Sequence, residues 1–198
     1  MDTLSNIKND IKNICENYTE EAIGGWITGT GPVPCNILFV GEAPGKTEVE
    51  KGAPFVGMAG DNFQHYLDII GIHRSNIRIT NTCYFRPIKI TNYENGRTSI
   101  RNRAPKTNEV ELFRAILDRE IELVNPKIII TLGNTPLKRF TKFKAIGDCH
   151  GKLIFNESMK KYIFPMYHPS SLTYNRSDEF KETYKNDWLE LKKALDLI

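Results

Sequence analysis

The sequence predicts a three-layer α/β/α domain built on a central four-stranded parallel sheet. Four short runs, at residues 37–40, 77–81, 127–132 and 162–167, are rich in β-branched and aromatic residues. Continuous apolar runs of this kind are typical of strands that are buried on both faces. Segments with helical periodicity separate the runs, and strands that alternate with helices form a parallel sheet covered on both sides.

Apolar side chains spaced three and four positions apart predict the helices. Residues 1–20 are expected to form an N-terminal helix, because Leu4, Ile7, Ile11 and Ile14 fall on one face. The same spacing predicts further helices at residues 59–70, 108–121 and 180–198, and a short one from about residue 135.

Length and composition limit the class of protein. The chain has 198 residues, 40% of them hydrophobic, and residues 1–198 are expected to form one domain. No apolar run approaches the roughly 18 residues of a membrane span, and the charged first residues do not resemble a secretory signal. The four cysteines, at positions 15, 35, 83 and 149, are too scattered for a disulfide framework, which indicates a cytoplasmic protein.

Residues 86–106 form a basic inserted loop in this prediction. The stretch contains six basic residues and one acid, Glu94, and it has no clear apolar periodicity. Two interpretations remain open for it. It is either a solvated, mobile insertion with a small hairpin at Asn95-Gly96, or an arm that contacts phosphates.

The loop after the first predicted core strand has the strongest chemical signal. Five glycines and two prolines occur in residues 41–60, together with the carboxylates Glu42 and Glu48. A phosphate-binding P-loop fits the loop poorly, because three residues rather than four separate Gly41 from the Gly-Lys-Thr that begins at Gly45. A divalent-metal site for a nuclease, with Glu50 and His168 as further ligands, stays as a runner-up that no ligand spacing demands.

An ordered set of motifs resembles the uracil-DNA glycosylase superfamily. The motifs are Gly-Glu-Ala-Pro-Gly at 41–45, Pro-Phe-Val-Gly at 54–57, Asn81, Arg-Pro at 86–87, Leu-Gly at 132–133 and His-Pro-Ser at 168–170. They resemble family four, the thermostable iron–sulfur type, most closely. The resemblance covers residue 35 to the end and implies a uracil-DNA glycosylase-like fold for the predicted sheet.

The resemblance also implies roles for individual residues. Phe55 is expected to stack on a base flipped out of DNA, and Asn81 to pair with the edge of uracil. His168 is expected to stabilise negative charge on the leaving base, and Glu42 or Glu48 to handle the water. Gly41 and Ala43 belong to the same base-binding loop, whose backbone amides are expected to face the O2 atom of the base.

DNA contacts are implied for a further group. Leu172 resembles the wedge that fills the gap left in the duplex. The other expected DNA contacts are Pro44, Gly45, Arg86, Gly133, Asn134, Ser170, Ser171 and Arg176.

The sequence departs from family four at the iron–sulfur ligands. Cys15 matches the first ligand position approximately, but the other three positions read Tyr18, Phe85 and Phe113. One thiolate cannot hold a four-iron cluster, so no cofactor and no metal is expected, with Phe85 and Phe113 packed together instead.

The expected function is a DNA repair enzyme, a monomer associated with the nucleoid, that releases uracil from DNA. The alternatives are a glycosylase for another deaminated base, such as hypoxanthine or xanthine, and an inactive DNA-binding homologue.

Overall fold

The computed structural model describes residues 3–198, so the first two residues of the predicted N-terminal helix lie outside the described part. The α-helices of this part are α1 (Leu4–Asn17), α2 (Lys46–Lys51), α3 (Met58–Ile70), α4 (Thr107–Leu112), α5 (Arg114–Val124), α6 (Asn134–Phe140), α7 (Ser171–Tyr174) and α8 (Asp178–Leu197). The strands are β1 (Ile23–Trp26), β2 (Ile37–Gly41), β3 (Arg78–Asn81), β4 (Phe85–Asn92), β5 (Thr98–Asn102), β6 (Ile128–Leu132), β7 (Ile154–Asn156) and β8 (Lys161–Met166). None of these helices is long and apolar enough to cross a membrane.

The main sheet has the order β3-β2-β6-β8-β7. The four predicted strands are present and pair in parallel, with Phe39 opposite Ile79 on one side and Ile130 on the other. The prediction of a four-stranded sheet is wrong by one strand, because β7 adds an antiparallel edge beside β8. β7 has three residues and is only partly buried, so it leaves no apolar run in the sequence.

Residues 86–106 are not a structureless loop. β4 and β5 form an antiparallel hairpin whose turn contains Asn95-Gly96, and β1 pairs with the other edge of β4 to complete a second sheet. Most residues from Lys89 to the end of β5 are exposed, and Ile90 and Ile100 are the only aliphatic residues among them. The sustained alternation that marks a half-buried strand is therefore missing.

Helices cover both faces of the main sheet. On one face Phe39 packs against Phe63 of α3 and Trp188 of α8, with ring centroids 5.0 and 6.1 Å away. On the other face Leu38 and Val40 belong to a cluster with helix α5. Successive residues of β2 thus point into opposite cores, which gives the three-layer arrangement that the sequence predicts.

A buried hydrogen-bond network holds β3 against α5. Glu120 Oε1 accepts hydrogen bonds from Arg78 Nε and Nη2 at 2.9 and 2.6 Å. Its Oε2 accepts from Thr80 Oγ1 at 2.8 Å and from the Tyr84 hydroxyl at 2.6 Å. A buried carboxylate with all these partners is expensive to disrupt, so the network fixes the strand that ends at Asn81.

Candidate active site at the carboxyl edge of the parallel sheet

The loops that follow four parallel strands enclose a cavity of about 630 Å³. Glu42 follows β2, Asn81 ends β3, Gly133 follows β6 and His168 follows β8, and all four line the cavity together with Phe55. The carboxyl ends of parallel strands are where α/β folds bind their ligands. The structure therefore brings together residues that lie up to 126 positions apart in the sequence.

Phe55 forms one wall of the cavity in an unusual backbone conformation. Its φ is +52°, in the left-handed region that a bulky residue rarely occupies, which costs about 1–3 kcal/mol. The ring is 6% exposed and lies 5.5 Å from the His168 ring and 5.2 Å from the Phe63 ring, centroid to centroid. The loop therefore holds this ring between the cavity and the core.

Three neighbours account for the conformation of Phe55. A Cβ on Gly41 would lie 2.8 Å from Phe55 Cζ, and a Cβ on Gly60 would lie 2.2 Å from the Phe55 carbonyl oxygen. Arg74 donates hydrogen bonds to the carbonyl oxygens of Pro54 and Phe55, the latter at 3.0 Å. Both glycines are required for close approach, and the Arg74 guanidinium offsets part of the strain.

Asn81 is buried beside the cavity, with 4% of its surface exposed. It lies directly opposite Gly41 in the β2–β3 register, and a Cβ on that glycine would come within 2.5 Å of Asn81 Oδ1. Its side-chain amide makes no hydrogen bond with any residue from 3 to 198. Because an amide carries both donors and an acceptor, it is free to recognise a ligand that presents the complementary pair.

His168 is held in one orientation by Ser170. The backbone N–H of Ser170 donates to His168 Nδ1 at 3.2 Å, and the Ser170 hydroxyl lies 2.8 Å from the same nitrogen. Since Nδ1 accepts, Nε2 carries the proton in the neutral ring. Surrounding protein atoms desolvate the imidazole and lower its pKa to about 4, so the ring is neutral at physiological pH.

The two loop carboxylates have different partners. Glu42 Oε2 accepts a hydrogen bond of 2.5 Å from the Thr135 hydroxyl, at the start of α6. Glu48 Oε1 accepts a 3.0 Å hydrogen bond from the backbone N–H of Gly57, which precedes α3. Both residues line the cavity, but Glu48 also joins helix α2 to the residue that precedes α3.

Most of the residues predicted to contact DNA or the base also lie at the cavity. Those that line it are Ala43, Pro44, Gly45, Gly133, Asn134, Ser170 and Ser171. Four others lie elsewhere. Gly41 does not line the cavity, because it is buried at the end of β2 behind Asn81 and Phe55. Leu172 packs against the hydrophobic core, Arg176 is exposed and donates to the Thr173 carbonyl, and Arg86 is only 8% exposed and donates to Asn102 Oδ1 at 2.6 Å.

The sequence interpretation missed four residues at this site. Arg74 supports Phe55, Thr135 binds Glu42, and Asn102 and Tyr174 line the cavity. Tyr174 is 85% exposed and follows Leu172 by two positions, so an aromatic residue in that loop was a usable signal. Arg74 and Thr135 act through tertiary contacts that no local pattern marks.

Comparison with known proteins decides the family. The sequence model described as "Uracil DNA glycosylase superfamily" matches residues 28–192. This chain belongs to that superfamily. The type-4 uracil-DNA glycosylase of Sulfurisphaera tokodaii is 34% identical in an alignment of 183 positions that covers 88% of this chain and 78% of that protein. The Thermotoga maritima protein of the same name is 35% identical over 174 residues, 87% of this chain and 82% of that one.

One solved structure has the same overall fold as this chain. Pedobacter heparinus SMUG2 superimposes with a TM-score of 0.53 over 97% of this chain and 99% of that chain, at 12% sequence identity. The superfamily match and this structural likeness together confirm the predicted uracil-DNA glycosylase-like fold.

The residues at the family's iron–sulfur position do not fit such a cluster. The Phe85 ring lies 4.8 Å from the Tyr18 ring and 5.4 Å from the Phe113 ring, and the thiols of Cys15 and Cys83 are buried in the same apolar group. Within residues 3–198 no group of three or more His, Cys, Asp or Glu side chains is arranged to hold a metal ion. A four-iron cluster needs four ligands, usually thiolates, whereas burial raises the pKa of Cys15 to about 12.

Proposed function

We propose that this chain is a DNA glycosylase that hydrolyses the N-glycosidic bond of deoxyuridine, releasing free uracil and leaving an abasic site. The observation that supports it most is the cavity, where the Phe55 ring, the free amide of Asn81 and the neutral ring of His168 face one space. Membership of the superfamily, and relatives named type-4 uracil-DNA glycosylases, support the same activity.

Base recognition uses Phe55 and Asn81 in this proposal. The target nucleotide leaves the stack at a cost of a few kcal/mol, and stacking on the Phe55 ring returns about 1–3 kcal/mol. The Asn81 amide donates to O4 of uracil and accepts from its N3–H. Cytosine presents an amine and an unprotonated N3 at the same positions, so it would leave the buried amide with two mismatched partners.

Bond cleavage uses His168 and Glu42. As the bond from N1 to C1′ breaks, its electron pair goes to the base and positive charge develops on the sugar. His168 Nε2–H donates to O2 of the base, a contact that strengthens as negative charge accumulates there. Glu42 stabilises the sugar cation and orients the water that attacks C1′. The proton that this water loses passes to the Glu42 carboxylate or to solvent.

The DNA backbone flanking the target lies along the cavity rim in this proposal. The rim residues predicted to contact phosphates are Pro44, Gly45, Gly133, Asn134, Ser170 and Ser171. Such contacts position a strand without reading its sequence. The burial of Arg86 and its hydrogen bond to Asn102 support a positioning role for this arginine at the rim rather than direct contact with a phosphate.

A substrate panel tests the proposal. Oligonucleotides that contain uracil, hypoxanthine or xanthine, each single-stranded and double-stranded, are incubated with the protein in EDTA, and free bases are separated from DNA. Release of uracil is expected. Preferential release of hypoxanthine or xanthine would contradict the assignment of the base, and binding without release of any base would support the inactive homologue.

A further inference from the structure

The β4–β5 hairpin (residues 85–102) lies at the rim of the cavity. Asn102, at the end of β5, lines the cavity, as do Arg103 and Ala104 immediately after it. Asn102 pairs with Ile88 in the hairpin register, and its side chain accepts a hydrogen bond from Arg86. One end of the hairpin is thus fixed at the site, while the turn at Asn95-Gly96 extends away from it.

The structure divides the six basic residues of segment 86–106 into two groups. Arg86 binds Asn102, Arg103 forms an ion pair with Glu109, and Lys106 forms one with Glu21. The three remaining cations, Lys89, Arg97 and Arg101, are all exposed and lie on the hairpin. None of these three forms an ion pair with a residue in the part of the chain that the structure describes.

Two of the free cations lie directly opposite each other. Lys89 pairs with Arg101 in the β4–β5 register, so their side chains project from the same face of the hairpin. Like charges at directly opposed positions destabilise an antiparallel pair. A polyanion bound beside them would remove this repulsion. The charge of this face is therefore complementary to nucleic acid rather than to a neutral surface.

The other face of the hairpin is apolar near its middle. Ile90 and Ile100 lie opposite each other and are 47% and 53% exposed. Register puts this isoleucine pair on the same face as Asn102, one pair further from the cavity. This isoleucine face continues from the rim of the cavity, so a ligand that extends out of the cavity would lie against it.

We infer that this hairpin binds the DNA that flanks the target nucleotide, an inference that rests on the proposed function. Ile90 and Ile100 contact the bases, and Lys89, Arg97 and Arg101 contact phosphates. A two-stranded ribbon fits the major groove of B-form DNA. The five residues from Thr98 to Asn102 span about 13 Å, which equals roughly four base pairs of duplex.

The cation contacts are tested by salt dependence. The triple variant Lys89→Ala, Arg97→Ala, Arg101→Ala is compared with wild type for binding to undamaged duplex DNA over a range of salt concentrations. Loss of three phosphate contacts is expected to make the slope of log affinity against log salt shallower by about 2–3. An unchanged slope would overturn the inference.

A matched control separates a local contact from net charge. Lys8, Lys185 and Lys192 are exposed, lie on helices α1 and α8, and form no ion pair within residues 3–198. Their triple replacement by alanine changes the net charge by the same amount. It is expected to leave the slope nearly unchanged, and an equal change in slope for both triples would overturn the inference.

The apolar contact needs its own test. The double variant Ile90→Ser, Ile100→Ser is expected to bind DNA several-fold more weakly with the same salt slope, because apolar contacts release no counterions. Sedimentation of the wild-type protein without DNA tests whether a second copy of the chain binds the isoleucine face instead. A dimer that this double variant converts to monomer would overturn the inference in favour of a second copy of the chain.

Duplex length gives a further test, in which the comparison made with wild-type protein is independent of variant folding. Affinity is measured for duplexes with about two or about eight base pairs on each side of the target, since the hairpin reaches roughly four. Both duplexes are closed by a nucleotide loop at each end, so that the short one stays base-paired. Tighter binding of the long duplex is expected, with the difference lost in the cation triple variant. Equal affinity for both lengths would contradict the inference.

These measurements are separable from the proposed activity. Undamaged duplex requires no chemistry, so a salt effect without any uracil release would contradict the glycosylase proposal and leave the hairpin as a DNA contact. Conversely, the hairpin variants could release uracil at normal rates and show unchanged affinity, salt slope and length dependence. That result would contradict the hairpin inference and leave the glycosylase proposal standing.

Discussion

The hydroxyl of Thr135 donates a 2.5 Å hydrogen bond to Oε2 of Glu42 across the cavity rim. The contact joins the loop after β2 to the helix after β6, two segments about 90 residues apart in the chain. It holds one loop carboxylate in a defined orientation, whereas the other, Glu48, is bound to the backbone of Gly57.

Separate replacement of the two carboxylates distinguishes their roles. Glu42→Gln is expected to lower the single-turnover rate of uracil release at least a hundredfold, because it removes the charge that stabilises the sugar cation. Glu48→Gln is expected to cost less than tenfold, since a glutamine oxygen still accepts from Gly57 N–H. Thr135→Val, which keeps the shape and removes the donor, is expected to cost about tenfold. A larger loss for Glu48→Gln than for Glu42→Gln would reverse the assignment.

Arg74 is expected to matter for both stability and activity. Arg74→Met removes the donors to the Pro54 and Phe55 carbonyls, so the free energy of unfolding should fall by about 1–3 kcal/mol and kcat/KM by about tenfold. Chemical denaturation and steady-state kinetics measure the two effects. Arg114→Met is the control, since its ion pair with Glu111 is half exposed and contributes about 0–1 kcal/mol. Equal effects of the two variants would rule out a special role for Arg74.

The lowered pKa of His168 predicts a pH profile without the usual histidine step. With a pKa of about 4, the ring stays neutral from about pH 5 to 8, and this group should add no inflection near 6.5 to kcat. Unfolded chain, with an ordinary histidine pKa, binds the proton first, so this group's contribution to stability is lost as the pH falls from about 6.5 towards 4. NMR titration of the ring should show a midpoint near 4, and a midpoint near 6.5 would contradict the desolvated site.

Iron content tests the aromatic packing at the family's cluster position. Protein purified without oxygen is expected to be colourless, to contain far less than stoichiometric iron, and to keep its unfolding temperature in EDTA. Phe85→Ala should destabilise it by about 3–5 kcal/mol, because the ring is fully buried between Tyr18 and Phe113. A visible iron–sulfur band with stoichiometric iron would contradict this account.

Burial explains which parts of the fold the sequence could predict. The strand at Ile128–Leu132 is fully buried, so its apolar run is continuous and unambiguous. β5 carries the exposed residues Thr98 and Arg101, and its pairing is determined by the turn and by β4 rather than by a core. Exposed strands of this kind contain too few apolar residues for a hydrophobic signal, and the sequence predicts the hairpin only as one option for a loop.

The location of the candidate site could be predicted from the sequence for a different reason. Asn81 ends a correctly predicted strand and His168 follows another, so their convergence follows from parallel topology. The division of the basic residues could not be predicted, because Arg86 and Arg101 differ only in their tertiary neighbours. The orientation of Glu42 relative to Glu48 likewise depends on a partner about 90 positions away.

The single-turnover release of free uracil from a uracil-containing duplex in EDTA, by wild type and by His168→Ala, tests the central claim most directly. Wild type should release uracil without metal, and His168→Ala should release it at least a hundredfold more slowly while binding the DNA about as tightly. An unchanged rate in His168→Ala, or strand breaks that require Mg²⁺ in place of uracil release, would contradict the account.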